Sequence, residues 1–66
     1  MARTGANIYT AVCERSGDWW AVSVPRLPGV HTQARTLDEV SDVAREAIAL
    51  MLDLDPQAIH VSVEPR

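Results

Sequence analysis

Residues 24–40, VPRLPGVHTQARTLDEV, hold a strand end, two proline-marked turns and a helix start, and their reading decides the fold. Pro25 has no N–H to give to a sheet ladder and so ends the strand before it. Pro28-Gly29 suits the central positions of a type II turn, where proline fixes φ near −65° and glycine accepts the positive φ that other residues avoid. The chain therefore reverses, and Val30–Ala34 is predicted to return as a short antiparallel edge strand. Thr36-Leu37-Asp38-Glu39 has the form of a capping box, with the Thr36 hydroxyl accepting from the Glu39 amide and the Glu39 carboxylate from the Thr36 amide. In this reading Pro25, Pro28, Gly29, Thr36 and Glu39 set turn and cap geometry and carry no chemistry.

Working outward toward the N-terminus, IYTAVCER (8–15) and WWAVSV (19–24) are rich in β-branched and aromatic residues, and Ser16-Gly17-Asp18 between them makes a hairpin turn. Period-2 alternation puts Tyr9, Ala11, Cys13, Trp20, Val22 and Val24 on one face. Ile8, Thr10, Val12, Trp19, Ala21 and Ser23 fall on the other.

On the C-terminal side, Leu37, Val40, Ala44, Ala47, Ile48 and Met51 follow helical spacing, and Val43, Leu50 and Leu54 widen that stripe. Pro56 disfavours helical geometry at Asp55 and closes the helix. Ala58–Glu64 then alternates, with Ile59, Val61 and Val63 inward and His60, Ser62 and Glu64 outward. A strand–helix–strand connection closes as a right-handed crossover, so this fourth strand is placed parallel to the first and beside it. The prediction is one α+β domain over residues 1–66, β-β-β-α-β. It has a three-stranded antiparallel meander, a parallel fourth strand, order 3-2-1-4, and one helix on one face. The opposite face is left without a cover, which marks it as an interaction surface.

Sixty-six residues bury a modest core, and a chain this short often borrows core from a partner, so a homodimer or higher oligomer is expected. The net charge of −3, with six arginines and no lysine, argues against direct nucleic-acid binding, which needs a basic stripe. A basic, anion-binding protein suits this surface better as a partner. Cys13 is the single cysteine and cannot form an internal disulfide. Residues 1–7 lack the apolar run of a signal peptide, and Ala47–Leu52 is too short to cross a bilayer, so a cytoplasmic protein is expected.

Candidates for chemistry are few. Cys13 could act as a nucleophile with His31 or His60, but a cysteine amid apolar strand neighbours is usually an inert buried thiol. The same three residues lack the close pairing of a zinc site. The reading is therefore no enzyme, no catalytic residue, no cofactor and no metal. Glu39, Asp42, Glu46 and Asp53 lie on one line of the helix, either as a solvated face or as a docking strip that steers a basic partner. Trp19 and Trp20 must face opposite sides. With Trp20 inward, Trp19 joins Ile8, Val12 and Ala21 on the uncovered face, either as an interface anchor or packed over its own sheet.

The pattern Trp20-x-Val22-x-Val24-Pro25-x-Leu27-Pro28-Gly29, then Thr32-Gln33, then Thr36-Leu37-x-Glu39 opening a helix with Ala44 and Ala47-Ile48, resembles the HicB-like antitoxin family from about Tyr9 to Ile48. The resemblance implies a partial RNase H-like fold without nuclease carboxylates. It also implies a chain that binds and neutralises a small basic mRNA-cleaving toxin, a HicA-type ribonuclease. With Arg66 as the last residue, a short single-domain member without a DNA-binding tail is expected. The alternative is a stand-alone interaction or dimerisation module with no toxin partner.

Overall fold

In the computed structural model, which describes residues 8–66, β1 (Ile8–Ser16) and β2 (Trp19–Ser23) pair antiparallel in the register Cys13↔Val22 and Ser16↔Trp19. The absence of a leader, read from residues 1–7, lies outside the described residues. Ser16 belongs to the strand, which leaves the two-residue loop Gly17-Asp18. Of these only Gly17 has positive φ (62°), the pattern of a type II′ turn whose twist matches that of the strands.

β3 (His31–Ala34) pairs antiparallel with β2, and β4 (His60–Pro65) pairs parallel with β1, giving the order β3-β2-β1-β4. The Arg66 amide donates to the Cys13 carbonyl at 2.8 Å and carries the β1–β4 pairing past Pro65. The helix α1 (Val40–Leu52) covers one face of the sheet. This is the α+β arrangement that the alternation and the crossover rule predict.

The segment between β2 and β3 is two turns in succession. The Leu27 amide donates to the Val24 carbonyl at 2.9 Å across Pro25-Arg26, and the Val30 amide to the Leu27 carbonyl at 3.0 Å across Pro28-Gly29. Gly29 has φ 112°, as a type II turn requires of its third residue. Val30 therefore spends its N–H on the turn, and β3 starts one residue later than predicted. β4 also starts late. Pro56–Ala58 form a single 3-10 turn, capped by the Asp55 carboxylate accepting from the Gln57 amide at 2.9 Å, so Ala58 is not in the ladder.

The helix entry corrects the capping box. Leu37–Glu39 form a 3-10 turn before α1, and the Thr36 side chain makes no capping hydrogen bond. The Glu39 carboxylate does reach back, but to the Arg35 amide at 3.1 Å, one residue beyond Thr36. The 3-10 turn has fewer residues per turn and a longer rise per residue than an α-helix, which shifts the register of side chain to backbone. At the other end Asp53 adopts the left-handed conformation (φ 56°) and the Leu54 amide donates to the Ala49 carbonyl at 2.9 Å, a Schellman-type closure. The helix thus ends before Pro56 acts, and Pro56 keeps Asp55 extended.

Two clusters fill the space between sheet and helix. Tyr9, Val24, Val30, Ile48, Ala49 and Ile59 form one, and Ala11, Cys13, Val22, Ala34, Val40 and Ala44 the other, with Val61 packed against both. Each fully buried Val or Ile contributes about 1.5–3 kcal/mol, which is large against the stability of a domain this small.

Candidate partner-binding site

The face of the sheet away from α1 presents Ile8, Thr10, Val12 and Glu14 from β1, Trp19, Ala21 and Ser23 from β2, His31 and Gln33 from β3, and His60, Ser62 and Glu64 from β4. It is mixed rather than greasy. Ile8 is 51% exposed and Trp19 38%, but they stand at opposite ends of β1, about 26 Å apart at the rise of a strand. Ala21 is exposed between them. Val12 departs from expectation. At 9% exposed it is already covered, because it sits on a central strand between Ser23 and Glu64 and has little area left for a partner.

Trp19 is also engaged within the chain. The Arg35 guanidinium lies 4.9 Å from the ring centroid of Trp19. Arg15 lies over Trp20 at 5.5 Å and Arg26 over Tyr9 at 5.2 Å, so three arginines shield the three aromatic rings. Arg45 pairs with Asp42 one turn away on α1. The three stacked guanidiniums keep their charge but are held on the chain's own rings, and the Arg45–Asp42 pair cancels one charge of each sign.

The helix flank differs. An open groove of about 600 Å³ runs beside α1, with Val43, Ala47, Leu50 and Leu54 as its apolar lining and Glu46 and Asp53 as its charged lining; Thr32 of β3 and Pro56 also border it. Leu50 is 86% exposed and Leu54 40%. Both were expected to widen the buried stripe, and the structure leaves them in solvent, while Ala49, outside that stripe, is buried. Of the four acids read as one line, Glu46 and Asp53 border the groove, Asp42 is paired, and Glu39 holds the Arg35 amide. The signal for the groove was present in the spacing: Leu50 falls four residues after Glu46 and three before Asp53, a leucine in the middle of an acidic line.

The chemistry weighed for Cys13 is not assembled. Cys13 is 0% exposed on the helix-facing side of β1, and burial pushes its thiol above the ordinary value. His31 and His60 stand on the opposite face, on the two edge strands, so the sheet itself separates them from Cys13. Among the described residues no three His, Cys, Asp or Glu side chains converge as a metal site. No helix among them is long and apolar enough to cross a membrane.

The chain is similar to known proteins over most of its length. The sequence model described as "HicB_like antitoxin of bacterial toxin-antitoxin system" matches residues 9–63. A protein of Archaeoglobus fulgidus named "UPF0150 protein" is 45% identical over 47 residues, covering 70% of this chain and 68% of that protein. No solved structure matches the chain.

Proposed function

The chain belongs to the HicB-like antitoxin family of bacterial toxin–antitoxin systems, and from that membership we propose that it binds and neutralises a small basic mRNA-cleaving toxin of the HicA type in the cytoplasm. The observation that carries this reading is charge placed beside apolar surface. The chain has a net charge of −3, several arginines stacked on its own aromatic rings, and the acids Glu46 and Asp53 next to the exposed Leu50. A ribonuclease must present basic groups to phosphate, so an acidic partner is steered to it and competes with RNA for the same surface. Inhibition in this reading is occupancy, with no bond made or broken. The test is co-expression of this chain with a small basic toxin of the HicA type. Relief of growth arrest and co-purification of the two are expected, and continued arrest with no co-purification overturns the reading.

A second reading, a self-associating module without a toxin, draws on the uncovered sheet face. That face carries acids, histidines and the Arg35–Trp19 pair together, a mixture that tolerates a second copy of itself. A homodimer through this face is compatible with toxin binding elsewhere on the same chain.

A further inference from the structure

We propose that the toxin docks on the α1 flank, with Leu50 as the anchor, and that the docked element is an apolar segment flanked by Arg or Lys; this rests on the antitoxin reading and assigns it to one face. Three observations select the flank over the sheet. First, its apolar surface is contiguous: Val43, Ala47 and Leu50 recur at helical spacing on α1 and Leu54, just past its C-terminus, continues the same groove, whereas Ile8 and Trp19 are separated by nearly the length of β1. Second, Leu50 is 86% exposed, the largest exposure among the large apolar side chains of the described residues, and nothing in the fold uses it. Third, the charged lining is of one sign, Glu46 and Asp53.

The third observation also decides the occupant. A second copy turned onto this flank in a two-fold arrangement brings Glu46 and Asp53 of one chain toward those of the other, and like charges across an interface are costly. A basic partner converts the same acids into attraction. It buries Leu50 and Leu54 as the centre of the contact and leaves the acids as a rim that speeds association.

The experiment measures binding of the same small basic protein, carried as an inactive variant, to the wild-type chain and to Leu50→Arg, Glu46→Arg and Trp19→Ser. Because Leu50 and Glu46 are exposed, these substitutions leave the fold intact, checked by circular dichroism. Loss of affinity by about tenfold or more in Leu50→Arg and Glu46→Arg, with Trp19→Ser unchanged, is expected for an anchor and its rim. Full affinity in Leu50→Arg with loss in Trp19→Ser overturns the docking assignment and leaves the antitoxin reading standing. Conversion of a dimer to a monomer by Leu50→Arg, with toxin affinity unchanged, overturns it in favour of a second copy. Failure of the wild-type chain itself to bind removes the antitoxin reading and the assignment together.

Discussion

The guanidinium of Arg35 lies 4.9 Å from the ring centroid of Trp19, joining the residue just past β3 to the first residue of β2. The pair partly closes the end of the uncovered sheet face and ties the edge strand to its neighbour. A cation over an exposed ring contributes about 0.5–1 kcal/mol. Arg35→Ala is expected to lower unfolding stability by that amount and to shift tryptophan emission to longer wavelength as the ring gains water. Unchanged emission and stability place the pair outside the forces that hold β3.

Gly17 and Gly29, the positive-φ glycines among the described residues, differ in their surroundings. A Cβ on Gly17 meets nothing within 4 Å, while one on Gly29 lies 3.3 Å from the Met51 Cε. Both positions disfavour a side chain through backbone strain of about 1–2 kcal/mol. Gly29→Ala meets the Met51 side-chain tip, which must shift slightly, and is expected to cost more than Gly17→Ala, read as a larger fall in thermal midpoint. An equal or smaller fall removes the Pro28-Gly29 turn from the elements that seat α1.

The helix entry gives a paired test. Thr36 offers no side-chain cap, whereas the Glu39 carboxylate accepts from the Arg35 amide at 3.1 Å. Glu39→Ala is expected to cost about 0.5–1.5 kcal/mol in chemical denaturation, the worth of one hydrogen bond, with Thr36→Ala costing less. The reverse order restores the capping box that the sequence suggested.

Cys13 sets a pH dependence. Burial raises its thiol above the ordinary value of 9.0, so the native state holds its proton over a range where the unfolded chain releases it. The native state then binds more protons than the unfolded one, and stability falls as pH rises through and above 9.0. Cys13→Ala is expected to flatten that decline, and the native thiol to react slowly with a thiol reagent at neutral pH. Rapid modification of the folded protein contradicts the burial.

Much of this architecture is legible in the residues because two periodicities are strong. Alternation at Tyr9-Ala11-Cys13 and at Ile59-Val61-Val63 fixes which face packs, and the Pro28-Gly29 signal fixes where the chain turns, whereas the Thr36–Glu39 signal marks the start of a 3-10 turn three residues before α1 begins. Periodicity gives the angle of a side chain around a helix but not the width of the sheet beneath it. β3 is four residues long, and the flank of α1 carrying Leu50 is left in solvent, so an apolar residue became surface. Val12 went the other way, because cover from Ser23 and Glu64 depends on the register of two neighbouring strands. The cap moved from Thr36 to Arg35 because a 3-10 turn, invisible to the spacing rule, precedes the helix.

Cleavage of an mRNA by a purified small basic toxin of the HicA type, followed with increasing amounts of this chain, tests neutralisation most directly. Cleavage is expected to stop near one equivalent, with inhibition weakening as salt screens Glu46 and Asp53. Cleavage that continues unchanged in an excess of the folded chain contradicts the assignment of this protein as an inhibitor.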